Sequence, residues 1–287
     1  MPAMHPLHNQ VSSALQTRHN ISVNPHWLDT FLTSRGPNPP PLPALISTAH
    51  FRILASDITT TVSPRGTAEA FPEGISDVNV KERRLEGTVI AQVLDVLDVG
   101  SSKWSQVEAI ERVERGEEVR GREVIRTVNG MGNDNNEGDA GSVNATAAPP
   151  PGGGTIAPSS TTLSSAAKKL SVGPHKLLLQ DARGTKVLAF ELVKIPKIEL
   201  STSASAALPP SARNLGTATL PEDPGMFIGC KLLLKPDTVV RRGVIMLTPD
   251  RCVVLGGKVE AWDKKWKEER KQRLTALIGE ENATGSG

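Results

Sequence analysis

The chain has 287 residues, 33 Lys plus Arg against 31 Asp plus Glu, and a formal net charge of +2. That balance excludes a protein that holds nucleic acid by bulk charge alone. Aromatic residues are 3% with no Tyr, while Gly (25) and Pro (22) are in excess. Part of the chain is therefore expected not to pack, and the core belongs to fewer residues than the length suggests. Cys230 and Cys252 sit in apolar runs outside any CxxC, which makes neither a zinc site nor a disulfide framework and fits a reducing compartment. The first ten residues lack the basic start and apolar stretch of a signal peptide. No apolar run approaches the roughly 18 residues that a membrane helix needs, so a soluble intracellular protein with no membrane partner is expected.

In chain order, residues 11–34 read as helix with one break. Asn24 is an N-cap and Pro25 suits the first helical position, and Trp27, Leu28, Phe31 and Leu32 follow on one apolar face. The run PNPPPLP from Pro37 ends that helix. Ala44 to Ile58 reads as the next, with Leu45, Ile46, Ala49, Ile53 and Leu54 turned to a core. These segments form a helical module over 11–60, followed by a connector over 61–80 that is rich in turn formers. From Leu85 the period changes. Thr88–Val99 is long and β-branched and reads as a strand, with Val89, Ala91 and Val93 on one face. Ser102–Arg115 carries Trp104, Val107 and Ile110 at three-residue spacing and reads as a short amphipathic helix. The stretch 129–172 has no aromatic residue and few aliphatic ones, so it is expected to be disordered low-complexity chain.

Structure resumes with a hairpin: Lys176–Gln180, a turn at Asp181–Gly184, and Lys186–Ile195. A Ser/Ala/Pro-rich loop fills 201–225. Cys230–Lys235 is a strand, Val239–Leu247 another bent at Gly243, and Cys252–Leu255 a last short one. A helix from about Val259 to Ile278 presents Val259, Trp262, Trp266, Leu274, Leu277 and Ile278, and is expected to pack on its own barrel. The domain thus spans 81–280, interrupted by a loop over 100–174, and 281–287 is expected to be a disordered tail. Five or six short strands in a meander with a terminal helix point first to an OB-fold, because barrel closure removes exposed edges; a β-sandwich and an SH3-like barrel remain the alternatives. The fold class is mainly β with helices.

No catalytic motif is present: no GxxxxGK[ST], GxGxxG after a strand, GxSxG or HExxH. Neither a cofactor nor a metal is expected. His5 and His8 sit at an N-terminus expected to be loose, and Asp95 and Asp98 are expected on opposite faces of a strand end, which does not suit acid–base work. Four features suggest binding. Lys231, Lys235, Arg241 and Arg242 decorate adjacent strands and could follow a phosphate backbone, or be an ordinary solvated face. The 100–174 insertion exceeds what a barrel connection needs. The glycines of Leu247–Gly257 (LTPDRCVVLGG) admit close approach of another backbone, or simply close the barrel. The Trp262/Trp266 helix is the fourth.

At these residues the sequence resembles the N-terminal, OB-fold portion of the RecQ-mediated genome instability protein 1 family. Ile21-Ser-Val-Asn-Pro-His-Trp-Leu-Asp29 resembles the family's N-terminal helical segment. Gln92–Val99 followed by Trp104-Ser-Gln106 resembles its first barrel strand and the start of its loop, and Lys176–Gly184 its second strand and turn. Arg242–Glu260 carries Gly, Pro and Leu-Gly-Gly at family spacing, with Leu277-Ile-Gly-Glu280 beyond. The likeness covers about 11–60, 81–128 and 173–280. The chain departs from the family at Thr248, where Lys is frequent before the Pro, and in a longer inserted loop. By this resemblance the chain is expected to be the short, fungal-type form, ending after the first OB domain.

The resemblance implies a non-catalytic scaffold, located in the nucleus, of a topoisomerase III–RecQ helicase complex that decatenates DNA and dissolves double Holliday junctions. Topoisomerase III would bind through Leu247, Thr248, Pro249, Leu255, Gly256 and Gly257. The loop after the first strand would enter the topoisomerase gate and favour its open state, with Trp104, Ser105, Gln106, Val107 and Ile110, within Ser101–Val113, as the residues concerned. DNA would be reached mainly through the complex. The competing reading is a stand-alone single-stranded DNA-binding OB-fold protein using Lys231, Lys235, Arg241 and Arg242.

Overall fold

Asn24 and Pro25 start a helix as their chemistry predicts. The computed structural model describes residues 5–36, 38–115, 173–200 and 226–284, and in it the Asn24 Oδ1 accepts from the His26 and Trp27 amides at the head of α2 (Pro25–Thr33). Ahead of it, α1 (His8–His19) begins earlier than expected and ends at Asn20, whose φ of 56° lets its N–H close back on Gln16 and Leu15. The expected helix over 44–58 is two. α3 (Leu42–Leu54) stops short, and Asp57 caps the single-turn α4 (Ile58–Thr61) by accepting the Thr59 amide at 3.0 Å. The apolar spacing continues through Ile58, which is why the break was not legible; the Asp side chain competes for the backbone and ends the run. Val11, Leu15, Leu28, Leu32, Leu45, Ile53 and Ile58 are all fully buried among these helices, each worth about 1.5–3 kcal/mol over exposure.

The stretch expected only to connect does more. It holds one 3-10 turn (Thr67–Glu69) and sends Phe71 and Ile75 into the barrel core. A two-residue strand β1 (Arg83–Arg84) follows, then β2 (Val89–Asp98), β3 (His175–Asp181), β4 (Lys186–Glu191), β5 (Lys231–Leu234), β6 (Val239–Arg241), β7 (Val244–Leu247) and β8 (Cys252–Gly256). Their order is β1-β6-β7-β4-β3-β2-β5-β8. β2 pairs antiparallel with both β3 and β5, and β4 runs parallel to β7. This curled sheet is the expected OB-fold barrel. Eight strands among the described residues exceed the five or six expected, in part because Val239–Leu247 is a hairpin rather than one bent strand. Arg242 and Gly243 both take positive φ, 46° and 78°, and reverse the chain between β6 and β7.

β2 carries a bulge between Val93 and Asp95. One extra residue shifts the alternation, so the core face reads Val89, Ala91, Val93 and then Val96. In the β3–β4 turn Asp181 Oδ1 accepts the Arg183 and Thr185 amides, while its Oδ2 accepts Phe71 N at 2.8 Å.

Between β2 and β3, α5 (Lys103–Glu114) forms as expected. α6 (Glu260–Thr284) closes the chain and runs past the boundary expected at 281. Trp266 enters the barrel core with Trp262 packed beside it, so the helix does pack on its own barrel. Asp95 and Asp98, expected apart, both meet this helix: Asp95 Oδ1 accepts from Trp266 Nε1 at 2.5 Å and pairs with Arg273, and Asp98 lies beside Arg270. All described residues belong to one compact unit, and none of their helices is long and apolar enough to cross a membrane. The expected low-complexity stretch 129–172, the loop 201–225 and the last three residues lie outside the described residues.

Candidate partner-binding surfaces

Lys231 corrects the sequence reading most sharply. Expected on a solvated strand face, it is 1% exposed. At Lys231 the outward side of β5 meets the helical module, and the Lys231 Nζ donates to the carbonyls of Leu54 (3.1 Å), Ser56 (2.6 Å) and Gly229 (2.7 Å). The first is the terminal carbonyl of α3, which lacks a helical partner and lies at the negative end of its dipole, and the second lies just beyond the helix end. Burial pushes the ammonium down to about 8. Beside it, Gln92 accepts from Ile58 N (3.0 Å) and donates to Asp57 (2.7 Å) and Gln180 (3.0 Å). Ile90, Ala182 and Leu255 pack into the helical core. Gly257, at φ 92°, faces the Leu54 carbonyl so closely that a Cβ would overlap it. The glycine run does admit another backbone, and it is the end of α3.

The six residues expected to bind a partner therefore divide. Leu247 is buried in the barrel, and Leu255 and Gly257 belong to this internal joint. Gly256 faces open space, Thr248 is half-buried and Pro249 is exposed. The Thr248 hydroxyl bonds Asp250 and holds its carboxyl below the usual range. Next to this turn lies a feature missed in the sequence. The amides of Leu192 and Val193 both donate to the Leu247 carbonyl, leaving their side chains 55% and 51% exposed beside Thr248–Pro249. The sequence places them within a longer strand, but β4 ends at Glu191.

Glu191 ends the strand because it turns inward. Its Oε2 meets His175 Nδ1 at 2.5 Å and the His175 amide at 3.1 Å, and its Oε1 accepts Ile195 N at 2.8 Å. Both side chains are buried. Burial alone would push this carboxyl up, yet the His175 ring and the amide donors hold it below its ordinary value. The pair sits under the neck of the insertion, where Val99 N donates to Pro174 O at 3.0 Å and Gly100 lies against the Gly173 carbonyl. A carboxyl lowered on folding contributes stability above the ordinary carboxylate range and loses it as pH falls through the native value. Thermal unfolding followed from pH 7 to 3 should therefore show wild type losing stability more steeply than Glu191→Gln; parallel curves would refute this.

The gate-loop residues also divide. Trp104 is 67% exposed and Ser105 is exposed. Gln106 and Val107 are buried and Ile110 is partly so, all facing α6. Of the remaining cations, Lys235 Nζ donates to Asp250 O and Arg241 pairs with Glu82 at 3.0 Å. Arg242 lies exposed in the β6–β7 turn. With Lys231 enclosed, the four do not form one basic face. At the N-terminus His8 is buried rather than loose, 2.7 Å from Asp29. Among the described residues no three His, Cys, Asp or Glu cluster as a metal site would need.

Two sequence profiles match the chain. "RMI1, N-terminal helical domain" covers residues 15–61, and "RMI1, N-terminal OB-fold domain" covers 71–205 and 219–270. The second begins at Phe71, where the chain first enters the barrel core. A relative from Schizosaccharomyces pombe, named RecQ-mediated genome instability protein 1, is 28% identical over 219 residues, which is 76% of this chain and 74% of the relative. With both domain profiles matched in order over most of its length, and with the helical module and barrel they describe both present, the chain belongs to the RMI1 family of genome-stability scaffold proteins.

Proposed function

We propose that the chain is a non-catalytic scaffold of a topoisomerase III–RecQ-family helicase complex, acting in the nucleus in DNA repair, recombination and replication. It would stimulate decatenation and double Holliday junction dissolution. The observation that carries this reading is the ordered match of helical module and OB barrel to one family, with the two in contact through Lys231. A scaffold that binds the open topoisomerase gate better than the closed one raises the open population by its differential affinity. The loop after β2 is the element proposed to do so, and Trp104 is its most exposed large side chain in α5. The topoisomerase-binding surface is proposed to centre on Thr248, Pro249 and Gly256, extended by Leu192 and Val193.

The enclosure of Lys231 weakens the reading as a stand-alone single-strand binder. Co-elution of the purified chain with topoisomerase III, set beside a salt titration on single-stranded DNA, separates the two. Weak DNA binding with co-elution supports the scaffold. Failure to co-elute, or tight DNA binding by the chain alone with a slope of several phosphates, overturns it. Within the scaffold reading, Leu192→Asp/Pro249→Asp should weaken topoisomerase binding by about tenfold or more, as for loss of an apolar anchor, with the melting temperature little changed because both sites face solvent. Unaltered affinity by calorimetry would remove this surface from the proposal.

A further inference from the structure

α5 and α6 are more than 140 residues apart in the chain but meet through three sets of contacts. Val107 packs on Leu274 and Ile278, with Leu97 and Ile110 at the margin. The buried Gln106 donates to the Asp98 and Ser101 carbonyls at 3.0 and 3.1 Å and accepts from Arg270 Nη2 at 3.3 Å. Lys271 Nζ bridges two carboxylates of α5, Glu111 at 3.2 Å and Glu114 at 2.7 Å. α6 in turn is fixed to the barrel. Trp266 is in the core and bonded to Asp95, and the buried Asp263 accepts the Ile228 amide at 3.1 Å.

A helix of 12 residues is marginal on its own in water, so its order must come from packing. We infer that α6 is the positioning element for α5, with Arg270, Lys271 and Leu274 holding that helix in one pose and Trp104 left on the solvent side as a preordered anchor for an apolar pocket on a protein partner. A side chain already fixed in its bound pose loses less freedom on association, and indole rings are over-represented among residues that dominate interfaces. Arg270, Lys271 and Leu274 touch α5, not the partner, so their role is positional. The identity of the partner rests on the topoisomerase reading; the coupling of the two helices does not.

The test uses the full chain carrying Lys271→Glu and Leu274→Ala, which replaces the bridge by three like charges and removes apolar cover from α5. Hydrogen exchange of the α5 amides should accelerate about tenfold while the barrel strands stay protected. Co-elution with topoisomerase III should persist, and stimulation of decatenation should fall about fivefold. Adding Glu111→Lys and Glu114→Lys to Lys271→Glu alone re-forms the bridge with reversed sign, and should restore both slow exchange and stimulation, whereas Lys271→Arg should change neither. Unchanged α5 exchange in the double variant overturns the coupling. Fast exchange with full stimulation overturns the positioning role. If the wild-type chain does not co-elute with topoisomerase III, the topoisomerase reading falls, and the exchange measurement still decides whether α6 orders α5.

Discussion

Replacing Lys231 with Met should destabilise the protein by about 2–4 kcal/mol, because the carbonyls that accept from its ammonium lose their donor while relief from burying a charge offsets part of the loss. Met matches the length of the stem but brings no donor. Lys231 donates to three main-chain carbonyls, and a main-chain acceptor cannot be deleted along with the ammonium. Each carbonyl left without its donor costs up to about 1–3 kcal/mol, least where water can reach it. The usual escape, in which a buried ion pair is replaced whole by apolar groups at little cost, is closed here because the partners are backbone. Lys231→Arg should not rescue, since a planar fork does not reproduce three convergent donors from one nitrogen. Thermal denaturation would register the loss as about 2–4 °C per kcal/mol for a domain of this size. A melting temperature within a degree of wild type would refute the assignment. The loss should fall first on the helical module, so protection of α3 against hydrogen exchange should drop before that of the barrel strands.

The same residue gives a pH signature. Its native value is lowered to about 8 from 10.5 by burial. Between these values the unfolded chain binds more protons than the folded one, so wild-type stability gains a rising contribution as pH climbs from 8 towards 10.5. Lys231→Met lacks that contribution and should be flatter over the window.

Much of the fold was legible because the two periods are local. Leu28, Phe31 and Leu32 recur at helical spacing and are buried, and the Asp181–Gly184 turn lies where the residues predict. What was not legible depends on what covers an element. β5 shows Lys231 on its outward side, and alternation alone assigns that side to solvent; only the docking of α3 makes it interior. Trp104, Val107 and Ile110 read as one face of a short helix, and their spacing gives no sign that α6 covers Val107 and Ile110 while Trp104 stays 67% exposed. His175 and Glu191 are 16 residues apart in different strands, and neither is in a motif. Arg242 takes positive φ without being Gly, so the β6–β7 reversal had one signal where a hairpin turn usually has two. Apolar residues continue past Glu191 and so extend the expected strand through Leu192 and Val193, but the strand ends on a buried hydrogen bond that pattern cannot see.

Adjacent glycines of the Leu-Gly-Gly run should respond very differently to the same change. Gly256 and Gly257 have nearly equal φ, 87° and 92°, so alanine at either incurs similar backbone strain, about 1 kcal/mol. Gly256 faces open space, whereas a Cβ on Gly257 would overlap the Leu54 carbonyl and crowd its side chain. That carbonyl cannot retreat without breaking its bond from Lys231. Gly257→Ala should therefore cost about 3 kcal/mol or more, in the range reserved for overpacked or strained sites, and Gly256→Ala about 1 kcal/mol. Chemical denaturation of the two variants measures the difference directly, and equal midpoints would refute the close approach. Because the Gly257 clash and the Lys231 bond share one acceptor, the double variant Gly257→Ala/Lys231→Met should be less destabilised than the sum of its parts. The contrast also bears on function. Gly256 faces open space, so under the proposed topoisomerase reading its alanine variant should lower affinity beyond its loss of stability, while any effect of Gly257→Ala on binding should follow its loss of stability.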